Sequence, residues 1–282
     1  MLNQITLLGK IAKDLEVRES SNGRSFSIVT LEVDKEDPET GELKKEEIGV
    51  SLWGNTAENT AKYAGKDSVI TIKGRAANRV LDFSGGQALR TIGIVGERVS
   101  FIQTRAPGSV KTDTSESETK LPFSLNQATL VGRTVRDVEL QRNSSGRAYA
   151  NVTLAIQRAF KNQETNEYDS DFIEMTLWDS QAEEVVKSAG KGSVLSVHGH
   201  MISKTLEFTN QMAVGTIGIV GDKVSFPQTK EPQRAQQISN SQQEIGATDE
   251  WIPMSEMEGN SENGDIIDIL NQNKKTESSL EL

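Results

Sequence analysis

The chain repeats itself. Leu2-Asn3-Gln4-Ile5-Thr6-Leu7-Leu8-Gly9-Lys10 returns 123 residues later as Leu125-Asn126-Gln127-Ala128-Thr129-Leu130-Val131-Gly132-Arg133, and Asn22-Gly23-Arg24 returns as Ser145-Gly146-Arg147. Further on the offset is 125: Leu52-Trp53 returns as Leu177-Trp178, Ala64-Gly65-Lys66 as Ala189-Gly190-Lys191, and Thr91–Gly96 as Thr216–Gly221. The two-residue change falls between Thr30 and Trp53, so a loop there differs in length. A repeat near 125 residues is a whole domain, too long for a solenoid unit. The chain is therefore two copies of one domain, and its function should profit from two copies of one site.

A length of 282 residues suits two such domains. Each copy, of about 105 residues, is large enough to bury a core without staples. There is no cysteine, which excludes disulfides, thiolate metal sites and a cysteine nucleophile. The only histidines, His198 and His200, share one strand-like run, too few for a zinc site or a Ser-His-Asp triad. No cofactor is expected. No apolar run approaches a membrane span, and the N-terminus has no charged-then-apolar leader, so a cytoplasmic protein, nucleoid-associated if it binds DNA, is expected.

The net charge of -10 argues against an anionic ligand until it is divided along the chain. Residues 1–105 are neutral, 106–123 and 124–230 each carry -1, and 231–282 carry -8. The acidity belongs to the tail, and each near-neutral repeat is free to carry a basic face.

This division gives the expected organisation: a first domain over 1–105, a flexible Ser/Thr-rich linker over 106–123, a second domain over 124–230, and a disordered acidic tail over 231–282. Within each copy the apolar pattern has mainly period two, as in Ser27–Val33 and Ile48–Trp53. Asn22-Gly23 and Ser145-Gly146 mark hairpin turns. One helix interrupts each copy, with Asn55 or Ser180 as the expected cap and Gly65 or Gly190 as the stop. Three strands, a helix and two strands is the plan of a five-stranded OB barrel, so the expected class is all-β with one helix per domain. Another small barrel or sandwich is the alternative.

The residues then resemble a known family. Asn3 to Arg18, with its alternating aliphatics, Gly9, Lys10, Asp14, Glu16 and Arg18, is similar to the opening of bacterial single-stranded-DNA-binding proteins. Val50-Ser51-Leu52-Trp53-Gly54, Ala64–Val69 and Ile72-Lys73-Gly74-Arg75 continue the resemblance in order. The second copy follows with Asn126, Gly132, Arg133, Asp137, Glu139, Leu177-Trp178, Gly190–Ser193 and Gly199. The resemblance implies two OB barrels that bind single-stranded DNA without catalysis, and a homodimer presenting four barrels.

Such binding uses aromatic faces that stack on bases, at roughly 1–3 kcal/mol each, and cations that follow the phosphates. The resemblance makes Trp53, Trp178, Phe160 and Phe172 the stacking candidates. For the tryptophans the competing reading is a core residue closing the barrel, and for Phe160 a hairpin-tip residue buried against the other repeat. Phe172 has Glu47 as its first-copy counterpart, and Phe160 falls opposite the acidic Glu36-Asp37. Phe26 with Tyr149, and Phe83 with Phe208, are weaker candidates. The phosphate candidates are Lys10, Lys13, Arg18, Arg24, Arg75 and Arg79 in the first copy, and Arg133, Arg136, Arg147, Arg158, Lys161 and Lys204 in the second. The second copy should thus carry most of the stacking energy.

Family members usually end in an acidic run closing on an aliphatic-Pro-Phe, whereas this chain ends Ser278-Ser279-Leu280-Glu281-Leu282. Two internal stretches have similar chemistry: Asp249, Trp251, Ile252 and Pro253, then Asp265, Ile266, Ile267, Asp268, Ile269 and Leu270. Apolar anchors beside acids suit capture by a basic pocket on a replication or recombination protein. The functional alternative is an assembly factor on duplicated OB domains with vestigial DNA binding. A nuclease would need clustered carboxylates, and the acids here are scattered.

Overall fold

The computed structural model describes residues 1–36, 41–82, 88–108, 124–162, 165–207 and 213–232. The acidic tail candidates, Phe83, Phe208, Asp37 and most of the linker lie outside them. Met1–Gln237 cluster as one compact unit.

The first repeat runs β1 (Leu2–Ile11), β2 (Arg18–Glu19), β3 (Ser25–Glu36), β4 (Leu43–Trp53), α1 (Asn55–Tyr63), β5 (Val69–Asp82) and β6 (Ala88–Gln103). The second repeats that order as β7 (Leu125–Thr134), β8 (Gln141–Arg142), β9 (Ala148–Lys161), β10 (Tyr168–Trp178), α2 (Asp179–Ser188), β11 (Val194–Glu207) and β12 (Ala213–Gln228). The two-residue strands β2 and β8 were not expected from the sequence. They lead into the predicted turns, where Gly23 and Gly146 take φ values of 71° and 81° that suit glycine.

Each repeat closes on itself as an OB-type barrel. In the first, β1 pairs antiparallel with β3 and β5, β3 with β4, and β5 with β6, while β4 and β6 close the ring in parallel. Alternation points Ile5, Leu7, Leu31, Ile48, Leu52, Ile70, Ile72 and Ile94 inward, all buried. The second core matches with Leu130, Leu154, Ile156, Ile173, Leu177, Leu195 and Ile219. Each such side chain contributes about 1.5–3 kcal/mol of burial. Gly74 and Gly199 sit at the β-bulges of β5 and β11, where a Cβ would run into the carbonyl oxygens of Val95 and Val220.

The helices differ from expectation at their starts. Asn55 and Ser180 lie inside α1 and α2; the cap positions are Gly54 and Trp178, and neither helix has a side-chain cap. The strand-to-helix corner is made by backbone, with φ of 54° at Gly54 and 49° at its counterpart Asp179. Gly65 and Gly190 do follow the helices. Their backbone N–H groups donate to Arg105 and Lys230, and a Cβ there would strike the departing chain at Pro107 or Glu231. Asp14 ties this corner by accepting from the Lys66 and Gly108 N–H groups, and these bonds hold its carboxyl below the usual range.

The barrels share one twelve-stranded sheet. Strand β1 pairs antiparallel with β7 from Leu2–Val131 to Leu8–Leu125, and Ile5 lies opposite Ala128, its own counterpart in the repeat. A local two-fold axis therefore passes between the copies. Asn3 and Asn126 reinforce it: each side-chain amide bonds both ways with the backbone of its own repeat, at Ala76 and at Met201.

Candidate nucleic-acid interface

At the end of β10, Trp178 packs beside Tyr149, with ring centres 5.5 Å apart and planes tilted by 42°. Their strand register makes them direct neighbours. The Arg147 guanidinium lies 4.8 Å from the Trp178 ring centre, within cation–π range. Asp179 holds it there through bonds of 2.8 Å from Nη2 and 3.0 Å from Nε to Oδ2. This bonding raises the Arg147 pKa and lowers that of Asp179. The pair is solvent-exposed, so it orients the guanidinium more than it stabilises the fold.

The first copy has the same corner without the clamp. Phe26 and Trp53 lie 5.4 Å apart at 32°, and Arg24 is 5.9 Å from the Trp53 ring. Gly54 stands at the place of Asp179 and offers no carboxylate to hold Arg24. Trp53 is 36% exposed, so it is not a core tryptophan.

Phe160 and Phe172 are 55% and 52% exposed, which removes the buried-tip reading for Phe160. Tyr168, 50% exposed at the start of β10, joins them with the Lys161 ammonium 5.6 Å from its ring. Sequence reasoning passed over Tyr168. Its place opposite Lys161 across the β9–β10 hairpin is visible only once the register is known. In the first copy Glu47 is exposed where Phe172 stands in the second.

The cationic candidates divide. Lys13, Arg24, Arg79, Arg136, Lys161 and Lys204 are exposed, and Lys10 is half-buried. Arg18 bonds to Glu16 at 2.8 Å in open solvent, and this lowers the Glu16 pKa. Arg133 donates to the Gly192 carbonyl. Arg75 and Arg158 are drawn inward instead: both bond to Asp171, whose side chain is only 2% exposed. Arg158 donates through Nε at 3.0 Å and Nη2 at 2.6 Å, Arg75 through Nη1 at 3.1 Å, and Asp169 and Glu97 complete the cluster. The bonds to Asp171 raise the Arg158 pKa against the cost of burial.

Two clefts follow the joint between the repeats. One, of 280 Å³, is lined by Asn78, Arg90 and Ile92 of the first repeat with Phe172, Lys204 and Ile217 of the second. Arg90 was not among the sequence candidates. The other, of 870 Å³, runs from Trp178 and Arg147 past Gln127 and His200 to Lys35. Among the described residues no group of His, Asp or Glu side chains could hold a metal ion, and no helix is long and apolar enough to cross a membrane.

Fold and surface together define a tandem protein of the OB class, whose second barrel exposes Phe160, Tyr168 and Phe172 on one hairpin while the first has Leu43 and Glu47 at the places of Tyr168 and Phe172. The Single-strand binding protein family matches the chain twice, over residues 2–102 and 125–227. The chain belongs to that family. It is similar to the single-stranded DNA-binding protein of Oceanobacillus iheyensis, at 35% identity over 120 residues that cover 43% of this chain and 74% of the relative. It is 36% identical over 110 residues to single-stranded DNA-binding protein B of Bacillus subtilis, covering 39% of this chain and 96% of that one. The crystal structure of the single-stranded DNA binding protein from Thermus aquaticus matches 82% of this chain and 95% of that chain, with a TM-score of 0.59 and 21% identity, a likeness of fold.

Proposed function

We propose that this protein binds single-stranded DNA without sequence preference and without catalysis, stacking bases on Trp178, Phe160 and Phe172 and steering phosphates with the surrounding cations. The observation that carries the reading is that three large aromatics, Phe160, Tyr168 and Phe172, each stand about half in solvent on the one β9–β10 hairpin of the second barrel. A soluble barrel gains nothing from exposing them unless a planar ligand covers them. Every base has such a face, which makes the binding tolerant of sequence. Lys161, Arg147, Lys204 and Arg90 flank the rings, and Lys10, Lys13, Arg24, Arg79, Arg133 and Arg136 extend the basic surface over both repeats. Trp53 with Arg24 adds a weaker platform on the first repeat.

Protection of exposed strands during replication, recombination, repair or mobile-element transfer is the setting this chemistry serves, in the cytoplasm. Two chains would present four barrels. The tail segments around Trp251 and Ile266 would recruit partner proteins, and deleting residues 245–282 should abolish that recruitment in a pull-down while leaving DNA binding intact. Tryptophan fluorescence titrated with oligothymidine at two salt concentrations tests the main reading. Quenching with an affinity that falls as salt rises supports it. Absence of both quenching and a mobility shift would favour the assembly-factor alternative.

A further inference from the structure

We propose that the first repeat positions the stacking pair of the second: Asn78 and Arg75 on β5 hold Phe172 and Phe160 where a base meets them. This rests on the stacking reading and adds a role for the first barrel.

Around Phe172, β10 is paired on one side only. It meets β9 along its length, with Phe172 opposite Ala155, but meets β12 only at Thr176–Leu177. The Phe172 backbone would therefore face solvent on its second side. The Asn78 side chain fills that place as a neighbouring strand would. Its Oδ1 accepts from the Phe172 N–H and its Nδ2 donates to the Phe172 carbonyl, both at 2.9 Å. The bonds span 94 residues and cross from one repeat to the other.

The preceding residue secures the opposite face. Successive strand residues point to opposite sides, so an exposed Phe172 places Asp171 inward. There Arg75 from the first repeat and Arg158 from the second grip it together. With Asp171 held below and Asn78 at the edge, β10 cannot roll about its axis, and Phe172 stays presented. The Arg75 guanidinium also lies 5.9 Å from the Phe160 ring centre, so the same arginine touches the second aromatic. An aromatic fixed before the ligand arrives loses less freedom on binding.

The related joint across the two-fold axis shows that this is not forced by symmetry. There Ser203 replaces Asn78, Glu46 replaces Asp171, Glu47 replaces Phe172 and His200 replaces Arg75. The Ser203 N–H donates to Glu46 Oε1, Lys35 stands 3.9 Å from the same carboxylate, and His200 turns to Asp222 at 2.9 Å. That joint is tied, but it presents no aromatic.

The test is anisotropy of a labelled oligothymidine with the full chain carrying Asn78→Ala, Phe172→Ala or both. Asn78→Ala should weaken binding about fivefold, a fraction of the loss from removing a stacking ring, with little change in thermal midpoint. In the Phe172→Ala background it should cause no further loss, because the two act through one ring. Asn78→Ser, the residue of the other joint, should behave as Asn78→Ala does and serves if alanine disturbs folding. Equal losses from Asn78→Ala with and without Phe172, or none in either, would overturn the proposal while the stacking reading stands. Unchanged binding by Phe172→Ala would overturn both.

Discussion

The two repeats have one barrel and two surfaces. Both bury apolar side chains at largely equivalent positions, turn at equivalent glycines and start their helices at the same positive-φ corner. Outside the barrel they part. The second repeat exposes Phe160, Tyr168 and Phe172 together on its long hairpin, while the first carries Leu43 and Glu47 at the places of the last two, exposes Tyr63 and Phe101 on other elements, and keeps Trp53 with an unclamped Arg24. A barrel is over-determined by its core, so surface positions can diverge without harm to the fold. What differs is the face proposed to bind the ligand, and under that proposal the first repeat contributes to it at the joint, where Asn78 and Arg75 reach across.

The largest loss should come from stripping the second hairpin. Phe160→Ala with Phe172→Ala should weaken oligothymidine binding by about a hundredfold or more, at roughly 1–3 kcal/mol per lost stack. Phe26→Ala in the first repeat should cost far less in the same anisotropy assay. Equal losses would make the copies equivalent ligand surfaces.

The joint should fail next. Asp171→Ala leaves Arg75 and Arg158 facing each other with their shared carboxylate gone. Removing one member of a buried ion pair costs about 3–5 kcal/mol, and the partial exposure of both arginines lowers the expected loss to about 2 kcal/mol. Urea unfolding reads this directly. The corresponding Glu46→Gln should cost under about 1 kcal/mol, because the amide oxygen can still accept from Ser203.

A gain is expected from the reverse change in the first repeat. Glu47→Phe puts a ring where the second repeat has Phe172 and removes a charge that repels phosphate. Glu47 is exposed, so stability should hold while affinity rises by about fivefold, within the value of one stack. No gain would mean that the first barrel lies off the strand's path.

The smallest effect concerns acid. Bonds from the Lys66 and Gly108 N–H groups lower the Asp14 pKa in the folded state. That contribution is full above the unfolded aspartate pKa of about 3.9 and is lost as pH falls through the lower folded value. Asp14→Asn should therefore be less stable than the parent at neutral pH, and the gap in thermal midpoint should close below about pH 4.

Much of the barrel was legible because it is written in short-range signals. Period-two aliphatics, Asn22-Gly23 and the helix-stopping Gly65 each constrain a few neighbouring residues, and the repeat states them twice. The helix caps were misread because Asn55 and Ser180 are good capping residues by type, while the corner is set by backbone geometry one residue earlier. The functions of Arg75 and Arg158 were out of reach for another reason. A basic residue reads the same whether it meets a phosphate or a buried carboxylate, and Asp171 lies 96 residues from Arg75. Tyr168 was missed because its exposure follows from the hairpin register and not from any local pattern.

The pairing of β1 with β7 has a consequence for dilution. A strand edge that must find its partner on another molecule is lost at low concentration and can be taken by a competitor. Here the partner strand belongs to the same chain, and tethering of this kind gives effective concentrations of up to millimolar order. The joint therefore needs no second molecule to form, and at protein concentrations well below that value intramolecular pairing prevails over pairing with a foreign chain. Because the contacts of Asn78 and Arg75 depend on that joint, the rings proposed to stack should stay equally well set when the protein is scarce.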